Sequence, residues 1–137
     1  MRDKHVVSVL PHSTMREAAI IMAEHNFGAL PVTQHCKLVG IVTERDLMNR
    51  VIAEGRDVDE TCVGDVMTPN PKTISRQSSL FRALQVMENG RFRHLPVTEE
   101  GMIVGILSFR DIPLHYHVMH QNWVEALSPN NGQKSAA

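Results

Sequence analysis

The ordered run of a hydroxyl residue, any residue, arginine and aspartate occurs twice in this chain, as Thr43-Glu44-Arg45-Asp46 and as Ser108-Phe109-Arg110-Asp111. Each run follows an apolar stretch, Gly40-Ile41-Val42 or Gly105-Ile106-Leu107, so a strand ends, a hydroxyl starts a helix and an acid follows three positions later. Hydroxyl and acid at that spacing are close to a capping box, in which the two side chains satisfy free amides of the first helical turn; capping alone accounts for a single copy. Three further features point to a ligand. Gly40 and Gly105 permit close approach to the strand. The helix N-terminus presents unpaired amides and the positive end of its dipole, which suit a phosphate. Arg45 and Arg110 put a cation where the dipole disfavours one and capping has no use for it. A guanidinium there binds phosphate oxygens bidentately while the neighbouring carboxylate accepts hydrogen bonds from ribose hydroxyls, which is chemistry for a ribonucleotide.

These corners belong to a longer pattern. Leu30-Pro31-Val32-Thr33 recurs as Leu95-Pro96-Val97-Thr98 and Val39-Gly40-Ile41 as Val104-Gly105-Ile106, always 65 positions on and without a gap. The chain is a tandem repeat, and its two units are expected to pack as pseudo-symmetric halves. Residues 6–10 form a β-branched run, and a cap at Ser13-Thr14 predicts a helix over 15–25 whose apolar positions Met15, Ala18, Ala19 and Met22 share one face. Adding the offset gives Leu80, Ala83, Leu84 and Met87 behind Ser78 or Ser79. Short apolar runs at 29–32 and 38–42, and at 95–97 and 102–107, read as strand pairs joined by tight turns. A second helix is expected after Thr43 to about residue 54, and another after Ser108 through Ile112 and Tyr116. Each half is therefore β-α-β-β-α. The fold class is α+β: two three-stranded sheets, each with helices to one side, packed through their sheets with pseudo-twofold symmetry. The first repeat spans 1–54 and the second 72–127; the connection 55–71 carries one helical turn at 62–67, and the polar, breaker-rich tail 128–137 is expected to be disordered.

Composition narrows the function. Apolar residues make up 42% and charged residues 21%, ordinary for a globular protein, and no run reaches the ~18 apolar residues of a membrane span. With a net charge of −1 and scattered basic residues, the chain lacks the field that holds nucleic acid. The N-terminus has no signal-peptide pattern and Cys36 and Cys62 form no recognisable framework, which makes the cytoplasm the expected compartment. Among the eight histidines, the cluster His115-Tyr116-His117-Val118-Met119-His120 lacks a completing Cys or carboxylate at ligand spacing. It reads as a solvated helix face, and no metal is expected. Neither cysteine has a recognisable histidine partner and no serine sits in a Gly-x-Ser-x-Gly elbow, so no enzymatic centre is expected.

Over about residues 5–120 the chain resembles the tandem cystathionine-β-synthase (CBS) domain pair, or Bateman module, through the Leu-Pro-Val strands, the Gly-Ile-Val-Thr-x-x-Asp corner and the linker Asp65-Val66-Met67-Thr68. The resemblance implies a sensing module that binds an adenine nucleotide, AMP, ADP, ATP or NAD, in clefts between its halves and passes occupancy to an effector protein whose identity is unknown. It implies that Asp46 and Asp111 hold ribose hydroxyls, that Thr43 and Ser108 contact ribose or phosphate, and that Arg45 and Arg110 face phosphates. It also lines the clefts with Ser8-Val9, Ala29-Leu30, Thr73-Ile74 and His94-Leu95. Arg93-His94 stands where the first half has Gly28-Ala29. The second cleft is therefore expected to favour more highly charged nucleotides, with His94 gaining a proton as an anion arrives and affinity weakening between about pH 6 and 8. The stripe Ile112, Tyr116, Met119, Trp123 and Leu127 is longer than one small half needs and suggests a homodimer. The alternatives are a dimerising interaction scaffold whose caps are only caps, and a small nucleotide-using enzyme.

Overall fold

A computed structural model of the chain describes residues 6–127; the tail at 128–137 lies outside the described residues. In the first half, helix α1 (Met15–His25) starts at Thr14, whose hydroxyl accepts the Glu17 amide at 3.1 Å while the Glu17 carboxylate accepts the Thr14 amide at 2.9 Å. Strands β1 (Ala29–Gln34) and β2 (Lys37–Thr43) pair antiparallel. They are joined by His35 and Cys36, both left-handed with φ of 54° and 66°, the conformation that matches the twist of a two-residue hairpin. The second half repeats this with α4 (Leu80–Gly90), capped by Ser79, and with β5 (His94–Glu99) and β6 (Met102–Ser108) joined at Glu100-Gly101. The register repeats too: Ala29 faces Thr43 as His94 faces Ser108, and both hairpins shift register after the same valine, Val32 or Val97.

The expected strand at 6–10 shrinks to one parallel bridge between Val9 and Val32, because the Leu10 amide turns away to the Ser13 hydroxyl at 3.3 Å. Its counterpart is a true strand, β4 (Ile74–Ser75), parallel to β5. The connection between the repeats is not loose. It forms α3 (Val63–Val66) and then β3 (Thr68–Pro69), which pairs antiparallel with β2 and completes the first sheet in the order β1-β2-β3; the second sheet runs β4-β5-β6.

The two corners diverge. After Thr43, α2 (Glu44–Asp46) widens into a π-helical segment, Leu47–Ile52. After Ser108 a 3-10 turn at Phe109–Asp111 stops, Ile112 is extended (φ −83°, ψ 128°), and α5 (Leu114–Leu127) begins afresh. Pro113 causes the break, since a proline pushes the preceding residue out of the helical region. The stripe read as continuous from Ile112 to Leu127 is therefore divided: Ile112 is buried in the second core and Tyr116 half-buried, while Met119, Trp123 and Leu127 are 52%, 40% and 62% exposed. Nor is the histidine cluster uniformly solvated. His120 is buried between Phe81 and Trp123 with Nδ1 3.5 Å from Glu88 Oε1, and His117 Nε2 lies 3.0 Å from the Ile112 carbonyl.

Each half has its own apolar core, one around Met15, Leu30 and Val42, the other around Leu84, Met87 and Leu95. The halves meet where β6 lies against β1 and β2. Among the described residues no helix is long and apolar enough to cross a membrane.

Gly40 and Gly105 occupy equivalent positions but different surroundings. A Cβ at Gly40 would overlap the Met67 sulfur and stand 3.0 Å from the Thr68 carbonyl oxygen, so what approaches this glycine is the linker, whereas a Cβ at Gly105 meets nothing within 4 Å. Gly40→Ala is expected to destabilise the protein by about 1–3 kcal/mol through overpacking, and Gly105→Ala to be neutral or stabilising by up to about 1 kcal/mol. The urea midpoints of the two variants against the parent check this; equal shifts would mean that β3 does not seal β2.

Candidate ligand cleft between the two repeats

Both corners close as capping boxes. The Thr43 amide donates to Asp46 Oδ2 at 2.9 Å and the Asp46 amide to Thr43 Oγ1 at 3.1 Å; the Ser108 amide donates to Asp111 Oδ2 at 3.3 Å and the Arg110 amide to Ser108 Oγ at 3.3 Å. The β-region backbone of Thr43 and Ser108 frees their hydroxyls for this. The two acids differ in setting. Asp46 is buried, with Oδ1 3.6 Å from Arg50 Nε, and Arg50 also donates to the Val66 carbonyl at 3.0 Å; Asp111 is exposed. A carboxylate offers about four lone-pair sites, so each acid keeps acceptor capacity beyond its cap.

A cleft of about 820 Å³ opens between the halves, within the size range of small-molecule sites. Its wall joins Thr43, Arg45 and Asp46 of the first repeat to Arg93, His94, Ser108 and Arg110 of the second. Hydrogen bonds of one pattern fix both corners to the preceding strand: the Glu44 amide donates to the Gly28 carbonyl at 3.0 Å and the Phe109 amide to the Arg93 carbonyl at 2.7 Å. The Arg93 guanidinium lies over the Phe109 ring, 4.4 Å from its centroid, which holds that cation in place. A Cβ at Gly28 would stand 3.0 Å from Glu44 Oε2 and 3.2 Å from His94 Nε2, so a carboxylate from one repeat and an imidazole from the other close on the same point of backbone. Burial holds the His94 pKa below the ordinary histidine value; Glu44 and Asp111 oppose that, and Arg110 and Arg93 add to it.

The remaining residues singled out in the sequence lie outside this wall. Val9, Ala29, Leu30, Ile74 and Leu95 are buried apolar side chains, so what they could offer a ligand is main chain. Ser8 accepts the Thr33 hydroxyl at 3.3 Å, Thr73 is exposed, and Asp111 stands close enough to bias His94 without lining the cleft. The wall also contains Glu44, Met48, Thr68, Asn70, Lys72, Arg91 and Phe109, which sequence reading passed over. The basic and aromatic run Arg91-Phe92-Arg93-His94, directly before a repeated strand, was a legible signal for part of this set; Thr68 to Lys72 carried none, because their place depends on β3 joining the sheet. Among the described residues no three His, Cys, Asp or Glu gather as metal ligands.

The model of the CBS domain matches residues 1–53 and again 63–113. The chain is 36% identical over 110 residues to the CBS domain-containing protein YhcV of Bacillus subtilis, covering 80% of this chain and 78% of that one. It is 38% identical over 104 residues to the mitochondrial CBS domain-containing protein CBSX3 of Arabidopsis thaliana, covering 72% of this chain and half the length of that relative. Among solved structures it is similar to the CBS domain protein PAE2072 of Pyrobaculum aerophilum complexed with AMP, with a TM-score of 0.76 and 25% identity, over 89% of this chain and 95% of that one. Two repeats with one register, two corners with one capping geometry and two successive matches to one domain agree: the chain belongs to the CBS domain family and carries the domain twice in tandem.

Proposed function

We propose that this CBS pair is a regulatory module that binds an adenine nucleotide, AMP, ADP, ATP or NAD, between its repeats and passes occupancy to an effector protein by changing how the halves sit. The observation that carries the reading is the meeting of the Thr43-to-Asp46 corner with Arg93, His94, Ser108 and Arg110 across one cleft. A ribose set against Asp46 would leave its phosphates among guanidiniums from both halves, so the ligand bridges the very contact whose geometry it is to control. A shift of that geometry requires only that one arrangement bind the nucleotide better than the other. The AMP complex of PAE2072 supports the ligand class. No catalytic step is assigned.

The second reading, an interaction scaffold, draws on the capping boxes: Thr43 with Asp46 and Ser108 with Asp111 already satisfy one another. Calorimetric titration separates the two. With Asp46→Ala, loss of a ribose acceptor in the cleft is expected to weaken AMP, ATP or NAD by about ten- to a hundredfold; Asp111→Ala, outside the wall, is expected to do less and the double variant to follow Asp46→Ala. Unchanged affinity in a folded double variant leaves capping as the whole role of the acids.

His94 gives the reading a pH signature. Because its folded pKa is lowered, its contribution to stability is complete above the unfolded value of about 6.5 and is lost as pH falls through the folded value. An arriving phosphate raises that pKa again, so binding takes up a proton and affinity rises as pH falls. Burial shifts the effect towards the acid side of the window of about pH 6–8 expected from an unperturbed histidine. The melting temperature of the free protein is expected to drop between about pH 7 and 5.5 while nucleotide affinity increases, and His94→Asn to flatten both trends. A variant that keeps the parent's slopes would remove His94 from the cleft's chemistry.

The reading includes a homodimer. On α5, Leu114, Val118, Met119 and Leu127 are 76%, 50%, 52% and 62% exposed, an unusual density of open apolar groups on one helix. Sedimentation at tens of micromolar, an order-of-magnitude choice for weak association, is expected to show dimers that Val118→Asp with Met119→Asp reduces to monomers; a monomeric parent would overturn this part.

A further inference from the structure

The cleft gathers more positive charge than the repeated corner motif supplies. Five of the residues lining it are cations, Arg45, Lys72, Arg91, Arg93 and Arg110, against the acids Glu44 and Asp46, in a chain whose net charge is −1. None of the five forms an ion pair among the described residues, whereas Arg16, Arg56 and Arg76 do so elsewhere on the molecule and Arg50 pairs with the cleft's Asp46. The five come from four separate segments: the first corner, the chain just after β3, the end of α4 leading into β5, and the second corner. Their convergence is a product of the tertiary fold, and like charges held around one cavity repel until an anion enters it.

Lys72 and Arg91 lie outside the repeated motif. Subtracting the offset of 65, position 91 corresponds to Asn26, and position 72 to Val7; neither counterpart is charged. Arg91 moreover occupies the left-handed cap of α4 with φ 60°, where Asn or Gly is the unstrained choice. The helix dipole favours a cation at that end, but it does not account for Lys72 across the same cleft. A nucleoside monophosphate has one phosphate to offer Arg45, Arg110 and the corner amides. Each further phosphate adds negative charge and acceptor oxygens for the cations that remain.

We infer that the cleft selects adenine nucleotides carrying two or more phosphates over the monophosphate, and that Lys72 and Arg91 provide the discrimination. The inference rests on the reading of the cleft as a nucleotide site. It commits this chain to a polyphosphate signal, in which loss of a terminal phosphate empties or loosens the cleft.

The test is calorimetric titration of the full chain with AMP, ADP, ATP and inorganic tripolyphosphate, without divalent cation, using the parent, Lys72→Gln, Arg91→Asn and the double variant. Asn suits the left-handed cap, and thermal melts verify that each variant is folded. The parent is expected to bind ATP about tenfold or more tightly than AMP. The double variant is expected to lose about ten- to a hundredfold in ATP affinity while AMP changes by less than about threefold. Equal parent affinity for AMP and ATP, or equal weakening of both in the double variant, would overturn the phosphate selectivity and leave the nucleotide reading standing. Tripolyphosphate binding as tightly as ATP would show an anion site indifferent to the nucleoside. Failure of all three nucleotides with the parent would overturn this inference and, if NAD fails as well, the nucleotide reading with it.

Discussion

The cleft depends on the contact of the two sheets through β6 against β1 and β2. A unit of about sixty residues lies near the lower limit for burying a stable core, and each repeat holds one modest cluster of buried side chains. Packing sheet on sheet covers apolar surface that neither half could cover alone. The same contact sets the two strand-to-helix corners beside one another, so that stability and the cleft arise from one interface. Thr43 and Ser108, where β2 and β6 end, both line that cleft.

The repetition is close in backbone and loose in function. Hydrogen bonds from Glu44 to Gly28 and from Phe109 to Arg93 are related by the offset of 65, as are the pairings of β1 with β2 and β5 with β6. Yet the first half receives a strand from the linker and its corner continues as a π-helical segment, whereas the second corner breaks at Pro113. A wide helical turn directly after Asp46 lets Arg50 reach both that carboxylate and the Val66 carbonyl at the end of α3. The first corner is thereby tied to the linker, and its acid is buried; the second corner has no such tie, and Asp111 is exposed. The acids of the two copies thus differ in burial and in their partners.

Local rules carried far because they act over a few residues. The offset, the capping residues Thr14 and Ser79, the helical stripe at Met15, Ala18 and Met22, and both hairpins were legible in order and spacing alone, since capping, periodicity and turn chemistry need no distant partner. The resemblance to the CBS pair rested on the same short runs. Where local reading failed, a competing local contact or a proline decided: the Leu10 amide left its strand for Ser13, and Pro113 divided a helix that apolar spacing had drawn as one.

The repeat, the α+β class and the types of residue at the two corners can be read along the chain. Which of those residues share a cavity follows from packing between distant segments. Asp111, Ala29 and Leu95 fall outside its wall, and Lys72, Arg91 and Glu44 fall inside it. His120, placed by spacing on a wet helix face, is buried against Phe81 and Trp123. The physical reason is the same in each case. Capping and periodicity are satisfied within one turn or one hairpin, whereas a cleft wall and a buried histidine are set by segments far apart in the chain, and their meeting follows from how two sheets bury each other.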